Sequence, residues 1–387
     1  MGNIDSRAKF DCGHFIVQTD QPFYSPGEVA TARIYMRINR PVDATHIDLE
    51  IKGKEKASFL VQMSRQIQDG DQVRHETYWE KKKARKELLD AKQPVFVFPG
   101  GNLLPGDYVI PIQFTLPKNI PSSMFFKNKH SQRKPKAQVK YTICCKMQTR
   151  SDKHEMKYKQ VLIIRENPPS FQGGIAGFQS NKLTTWCCVD QGISKIDVTF
   201  DKNTFFPNEK AHSKVTLDNS KCNLNMKNVR MAVEQNIHIQ AEGFTFADTI
   251  TLVQKQEGGV HAKQDNKVDK ELEVDLNSIR YPAPETKKKH GKVVPVSLED
   301  AFQMSQMQPA CHGHLVRNEY FIAVRTDFEG CTCCTTFPSV KTPLVVLPIV
   351  NPQCFGFAAP PDFHPQTQQV AHISIITENI KKAPKHH

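Results

Sequence analysis

Apolar and polar residues alternate through most of this chain. In VATARIYMRI (29–38) an apolar or small side chain falls at every second position, and KAHSKVTLDN (210–219) follows the same pattern. A period of two with a polar opposite face is typical of a half-buried antiparallel strand. The segments 45–53, 108–117 and 226–240 alternate in the same way. The pattern therefore predicts an all-β protein.

One charged stretch departs from this alternation. Residues 78–93, YWEKKKARKELLDAKQ, are rich in residues of high helix propensity, and we expect the chain's one convincing helix there. Elsewhere, 139–149 and 158–166 are expected to form a hairpin. The segments 314–326 and 340–350 are expected to form a long strand pair joined by a cysteine-rich loop.

A turn sequence occurs twice. DQPFYSPGE (20–28) and DKNTFFPNE (201–209) share Asp, Pro and Glu at the same internal spacing, and each lies between strand-like segments. Pro fixes φ near about −65° and the following Gly or Asn tolerates positive φ, so both segments predict a turn. Two long repeats indicate two tandem antiparallel domains, because the repeats of a solenoid span only about 20–50 residues.

Composition suggests where the domains begin and end. NPPSFQGGIAG (167–177) has Pro and Gly clusters without periodicity, as expected of a linker. The segment after Asn351 mixes Pro, Gln and His and is expected to be flexible. The predicted organisation is a first domain at 1–166, a linker at 167–180, a second domain at 181–350 and a flexible tail at 351–387.

Composition and charge also narrow the class of function. No apolar run approaches the ~20 residues that a membrane helix needs, and no secretion signal is apparent near the start. Eleven cysteines in such a chain indicate the cytosol, where thiols stay reduced. A net charge of +12 indicates acidic partners, which include nucleic acid, anionic lipid and phosphorylated peptide.

Signatures of catalytic sites are absent from the sequence. It has no nucleophile elbow, Walker loop or dinucleotide fingerprint. The His-Glu pairs at 75–76 and 154–155 lack the second His of a zinc protease motif, because Trp79 and Tyr158 stand in its place. We therefore expect no enzymatic activity and no cofactor.

Cysteine and histidine gather at two places in the second half, CHGH (311–314) and CTCC (331–334). Zn²⁺ takes four nitrogen or sulfur ligands, which these segments would supply if the strand pair brought them together. The spacing fits no standard zinc pattern, so reduced loop thiols are the alternative to a metal or redox site. The metal-ligand candidates are Cys311, His312, His314, Cys331, Cys333 and Cys334.

Three short clusters of basic residues lie at 81–86, 127–136 and 287–292. Nucleic-acid binding would need aromatic residues among the basic ones or a recognition motif. The flanking aromatic residues are few and no recognition motif occurs, so we expect no nucleic acid partner. Solvated loops explain any single cluster. The middle cluster follows the apolar residues 124–126, and this combination suits a membrane interface or a phosphorylated tail.

At the level of motifs, the chain resembles the arrestin family, and more closely the α-arrestins, over about residues 10–350. The motifs that carry the resemblance are FYSPGE (23–28), LLPGDYVIPIQFTLPKNIPSS (103–123), VKYTICCKM (139–147), FFPNE (205–209) and EYFIAVRT with PSVKTPLVVLP (319–348). The resemblance implies an arrestin fold, which consists of two immunoglobulin-like antiparallel β-sandwiches joined by a short linker.

The resemblance also implies binding residues. The basic cluster falls on the middle loop of the arrestin crest, which faces membrane receptors, so we expect cargo or anionic lipid to bind there. Basic residues beside the first strand imply phosphate contacts at Arg7 and Lys9. The middle-loop candidates are Phe125, Phe126, Lys127, Lys129, Arg133, Lys134 and Lys136.

Two short proline motifs depart from the α-arrestin pattern. Many α-arrestins recruit ubiquitin ligases through P-P-x-Y, which binds the polyproline groove of a WW domain. Here PPDF (360–363) and PPSF (168–171) carry Phe in place of Tyr. We expect ligase binding through these motifs to be weakened or absent.

Two functions from different classes fit the sequence. The first is a non-enzymatic cytosolic adaptor that binds membrane-protein cytoplasmic tails and links them to endocytic sorting, coat or ubiquitination machinery, at the plasma membrane or endosomes. The second is a redox-sensing or metal-binding interaction protein that uses the loop 331–334.

The first six residues, MGNIDS, match the pattern for N-myristoylation, with Gly2 as the acylated residue. An ordinary polar terminus is the alternative. A single acyl chain binds membranes only marginally, so an anionic membrane surface would need a second, basic contact on the protein.

Overall fold

In the computed structural model the described residues are 9–69, 72–150, 156–167, 173–186, 189–279, 287–289, 292–294, 307–332, 335–349, 361–367 and 371–373. The first half forms nine strands: β1 (Lys9–Phe10), β2 (Gly13–Thr19), β3 (Val29–Ile38), β4 (Ala44–Asp69), β5 (Gln72–Val97), β6 (Gly106–Thr115), β7 (Met124–Lys127), β8 (Lys136–Thr149) and β9 (Met156–Leu162).

Strands continue through the second half. They are β10 (Gly173–Thr185), β11 (Val189–Lys202), β12 (Thr204–Phe205), β13 (Lys210–Cys222), β14 (Met226–Ala241), β15 (Phe244–Gly258), β16 (Val268–Asp275), β17 (Lys287–Lys289), β18 (Lys292–Val294), β19 (Cys311–His312), β20 (Val316–Phe328), β21 (Ser339–Val346), β22 (Gln366–Thr367) and β23 (Ala371–Ile373). Short 3₁₀ turns lie at Pro99–Gly101 and Leu276–Ser278.

Two sheets pack face to face in the first domain. Sheet N1 has the order β1-β2-β3-β6-β22, with β23 also on β6, and sheet N2 has the order β5-β4-β8-β7, with β9 on β8. Apolar side chains of alternate positions fill the space between them, including Ile34 and Phe114 from N1 and Ile51 and Ile143 from N2. The period of two in the sequence is therefore the signature of these inner faces.

A second sandwich follows. Sheet C1 has the order β10-β11-β13-β16 and sheet C2 has the order β12-β21-β20-β14-β15, with β19 on β20. Its core contains Val198 and Leu217 from C1 and Met231 and Ile322 from C2. The structure thus confirms the predicted all-β fold of two tandem antiparallel sandwiches. Within the described residues, no helix is long and apolar enough to span a membrane.

The expected helix at 78–93 is wrong, because these residues lie in β5. They pair with β4 in antiparallel register from Met63 opposite Tyr78 to Leu49 opposite Gln93, with one shift of register between Gly53 and Lys54. Helix propensity is a weak preference that tertiary pairing overrides. Two strands of 26 residues each form a ribbon that runs well past the end of β8.

Part of the tail has a defined place. Although the sequence predicts a flexible segment after residue 351, β22 and β23 pair with β6 in parallel, with Gln366 opposite Tyr108 and Ile373 opposite Phe114. The described tail residues therefore extend sheet N1 of the first domain.

Candidate functional site

The middle loop between β7 and β8 is held between the two domains by Arg133. Its guanidinium carbon lies 5.0 Å from the ring centre of Phe59 in the first domain and 5.2 Å from that of Phe246 in the second. The guanidinium also donates to the carbonyl oxygens of Leu60 (3.1 Å) and Thr245 (3.2 Å). Cation–π contacts and hydrogen bonds of this kind make Arg133 a link across the domain interface.

The other middle-loop candidates divide by exposure. Phe126 is buried, with 6% of its surface accessible, and Phe125 is half-buried under the ammonium of Lys136 at 5.8 Å. Buried Phe126 is unsuited to insertion into a membrane in this conformation. The exposed members of the predicted set are four lysines: Lys127, Lys129, Lys134 and Lys136.

A second contact between the domains involves the long β4–β5 ribbon. The ammonium group of Lys82 in β5 donates a hydrogen bond to Glu80 at 2.6 Å and lies 3.8 Å from the Glu242 carboxylate. It also lies 4.9 Å from the ring centre of Phe244. Glu242 and Phe244 belong to the β14–β15 turn of the second domain, so the ribbon rests against that turn. The ribbon, the middle loop and the β14–β15 turn together form a surface that we name the crest; it consists of residues 59–69, 72–82, 127–136 and 242–246.

A buried carboxylate also ties the domains together. Glu55 of β4 has 0% exposure and accepts the backbone N–H groups of His314 (3.1 Å), Leu315 (2.8 Å) and Val316 (2.8 Å). Gly313 permits this approach, because a Cβ added there would lie 2.2 Å from a Glu55 oxygen. The sequence carried a signal for this site, since Glu55 occupies an inward position of an otherwise apolar alternation, but that signal was missed.

His312 lies between two acidic side chains at the same interface. Its Nδ1 is 2.7 Å from Glu166, at the end of the first domain, and its Nε2 is 3.3 Å from Glu319 of β20. These two carboxylates raise the pKa of His312, with Glu166 the larger cause. Burial would raise the pKa of Glu166, but hydrogen bonds from His312 and from the Ser122 N–H outweigh it and lower the pKa.

Arg165 is the buried cation of this region. Its Nη1 donates to the carbonyl of Ser123 at 2.9 Å, while its Nε is buried without a hydrogen-bond partner in the described part of the chain. Burial lowers the pKa of Arg165 to about 10. A cavity of about 230 Å³ beside it is lined by this arginine, Glu166 and His312, and by apolar residues such as Leu344 and Leu347.

The structure separates the predicted metal ligands. Cys311 is buried beside the Ser122 carbonyl, and burial raises its pKa, so the thiol stays protonated and protected. Cys311 lies opposite Asn318, near the start of β20, whereas exposed Cys331 lies past the end of that strand at Phe328. The strand between these two points spans roughly 30 Å, at about 3.3 Å per residue. Cys333 and Cys334 fall outside the described residues. Among the described ones, no group of His, Cys, Asp and Glu is arranged to hold a metal ion.

The remaining candidates lie near the amino terminus. Lys9 is exposed in β1, opposite His14 of β2. Arg7 and Gly2 lie outside the described residues. Their predicted roles in phosphate contact and acylation remain predictions.

Comparison with known proteins identifies the fold. Residues 14–167 match the family model of the arrestin (or S-antigen) N-terminal domain, and residues 190–351 match that of the arrestin C-terminal domain. The chain therefore belongs to the arrestin family. It is 25% identical over 154 residues to an arrestin of the lateral eye of Limulus polyphemus, a match that spans 40% of this chain and 38% of the relative.

Proposed function

We propose that this arrestin-family chain is a non-enzymatic adaptor that binds cytoplasmic tails of membrane proteins at its crest. The observation that carries the proposal is the position of the middle loop. Arg133 joins it to both domains, and exposed Lys127, Lys129, Lys134 and Lys136 follow one another along its length. Lysines held on a rigid support suit acidic or phosphorylated peptide, because each charge is presented without further ordering of the loop.

In the proposed role, the adaptor links its cargo to endocytic sorting or ubiquitination machinery, working in the cytoplasm at the plasma membrane or endosomes. The membership in the α-arrestin group is part of the same proposal. The P-P-x-F motif in the tail gives little support to direct ligase binding. Asp362 and Phe363 of this motif contact Arg37 of the first domain, at 3.0 Å and 5.5 Å.

Binding of phosphorylated and unphosphorylated copies of one cytoplasmic-tail peptide tests the proposal. Changing Lys127, Lys129, Lys134 and Lys136 to Ser should weaken phosphopeptide binding at least tenfold and flatten its salt dependence, since exposed charge pairs are screened by salt. Arg133 is left unchanged because its loss would disturb the interface. The matched control changes the exposed lysines Lys214, Lys221, Lys227 and Lys267 of the second domain. Equal binding by both variants and the wild type would contradict the proposed site.

A further inference from the structure

Sheet N2 presents alternate positions of β4 to solvent, and three successive ones are lysines. Lys52, Lys54 and Lys56 alternate with the buried residues Gly53 and Glu55, so their side chains leave the opposite side of the sheet. The sequence alone did not reveal this outward side. The predicted strand ended at residue 53, and the rest of KGKEK (52–56) fits a charged loop equally well.

The neighbouring strands continue the same surface. Residues directly opposite each other in an antiparallel pair share a face, so the β8–β9 pair places Lys159 beside Cys144 and Lys157 beside Lys146. The β4–β5 pair places Arg85 beside Lys56. We name this surface the basic sheet face; its basic residues are Lys52, Lys54, Lys56, Lys81, Lys83, Arg85, Lys92, Lys136, Lys140, Lys146, Lys157 and Lys159.

Acidic residues on the described part of this face are fewer: Asp48, Glu50, Glu87 and Asp90. Asp48 pairs with Lys92 at 3.2 Å and Glu50 pairs with Lys52. Glu87 pairs with Arg85 at 3.1 Å and with Lys54 at 3.8 Å. Because the basic residues far outnumber the acidic ones, the face retains a strong positive charge after these pairs are formed.

Cys144, in the middle of β8, has several of these charged residues as neighbours. Burial is the main cause that raises the pKa of its thiol and Glu50 adds to it, while Lys157, Lys159 and Lys52 act in the opposite direction. Lysines from β9 and β4 therefore converge on the central strand and form one patch across the sheet.

An aromatic residue stands at the end of the patch. Trp79 of β5 lies opposite Gln62, two positions before Lys81, and therefore shares the face with Lys81, Lys83 and Arg85. Its side chain is 46% exposed. Tryptophan is enriched at the membrane–water interface, where its ring meets both apolar and polar surroundings.

We propose that the basic sheet face binds the surface of an anionic lipid bilayer. Four adjacent strands give a surface about 14 Å across, at about 4.8 Å between strands, which can meet a bilayer along several strands at once. Its cations are nearly all lysines, which act as point charges and suit a diffuse layer of anionic headgroups. A nucleic-acid surface would place several aromatic side chains among the charges, for base stacking.

Vesicle binding by the full chain tests this proposal. The probes are vesicles of phosphatidylcholine with phosphatidylserine and vesicles of phosphatidylcholine alone. The test variant changes Lys54, Lys56, Lys157 and Lys159 to Gln. Each lysine near an anionic surface contributes about fivefold to partitioning, so the variant should lose at least tenfold in binding to the anionic vesicles. Trp79→Ser should weaken binding on its own, and high salt should weaken binding of the wild type.

The matched control is the Gln variant of Lys214, Lys221, Lys227 and Lys267, which removes the same charge from the second domain. Circular dichroism checks that all variants are folded. Equal loss in test and control variants would mean that net charge alone governs binding and would overturn the proposal. Binding of a duplex oligonucleotide in place of the vesicles would also overturn it. Phosphopeptide binding at the crest should be unchanged in the variant of Lys54, Lys56, Lys157 and Lys159, which all lie outside the crest, and this separates the proposal from the proposed adaptor function.

Discussion

Glu28 and Glu209 close the same turn in the two domains. The carboxylate of Glu28 accepts the N–H of Ser25 at 2.7 Å, and that of Glu209 accepts the N–H of Phe206 at 2.7 Å. Their carbonyl oxygens accept the N–H groups of Leu116 (2.9 Å) and Leu276 (3.1 Å). The repeated turn sequence therefore marks two equivalent turns, as predicted.

Each turn should depend on its own glutamate. We expect Glu28→Ala to lower the free energy of unfolding by about 1–3 kcal/mol, because it leaves an N–H without its acceptor. Hydrogen exchange should accelerate at Ser25 and stay unchanged at Phe206, while Glu209→Ala should give the reverse. Each variant is thus the control for the other. Exchange that accelerates at neither amide would show that the carboxylates do not hold these turns.

Arg133 should matter more for stability than its neighbour Lys134. Arg133→Ala removes two ring contacts and two hydrogen bonds to carbonyls, and one of each crosses the domain interface, so we expect the free energy of unfolding to fall by about 1–3 kcal/mol. The measurement is urea unfolding together with hydrogen exchange in residues 244–246. Lys134→Ala is the matched control, since Lys134 is an exposed residue of the same loop. Equal effects of the two changes would refute the role of Arg133 as an interdomain link.

The His312 contacts predict a pH dependence of stability. The pKa of His312 is raised in the folded state, so its stabilising contribution is fully present below about pH 6.5 and is lost as pH rises through the raised pKa. Glu166 acts in the opposite sense: its pKa is lowered, and its contribution is lost as pH falls through the lowered pKa. Arg317, opposite His312 in the β19–β20 pair, and Arg165, which lines the same cavity as His312, are the neighbouring cations on the adjoining segments.

Melting temperature as a function of pH measures this contribution. His312→Gln should lower the melting temperature near pH 6 and have a smaller effect near pH 8. Because the side chain of His312 is 47% exposed, solvent screening keeps the expected change in the free energy of unfolding below about 1 kcal/mol. His212→Gln, on an exposed strand position of the second domain, is the control. A pH profile of His312→Gln parallel to that of the wild type would count against a stabilising role of the His312 contacts with Glu166 and Glu319.

Sequence reasoning found the features that depend on neighbours along the chain. The alternation in 29–38 and the turns at 20–28 and 201–209 are local signals, and the strands and turns lie where these signals place them. The ribbon was missed because helix propensity in 78–93 is also local, whereas pairing with β4 is set by the fold. The pairing of Arg133 with Phe246 joins residues far apart in sequence, and no periodicity in one segment reveals it. Likewise, Cys311 and Cys331 are close to one strand in sequence but lie towards its opposite ends.

The tail should be released by loss of one arginine. Arg37 of β3 holds Asp107 through two hydrogen bonds, at 2.8 Å and 2.9 Å, and reaches Asp362 of the tail at 3.0 Å. Hydrogen exchange at residues 366–367 should accelerate in Arg37→Gln and also in Asp362→Asn, which leaves the Asp107 contact intact. Arg33→Gln is the control, since Arg33 of the same strand pairs with Asp20.

Release of the tail should also control recognition of its proline motif. The ring of Phe363 packs near Arg37 and Tyr35, with 6.3 Å between the ring centres of Phe363 and Tyr35, so the last residue of the motif is held against the first domain. Phe363→Tyr completes P-P-x-Y, the sequence that WW domains bind. We expect Phe363→Tyr alone to bind an isolated WW domain weakly, and the double variant with Arg37→Gln to bind it at least tenfold more tightly, because free tail needs no undocking before binding. A synthetic peptide with the same change measures affinity without the first domain. If the single variant binds as tightly as that peptide, docking of the tail does not restrict access to the motif.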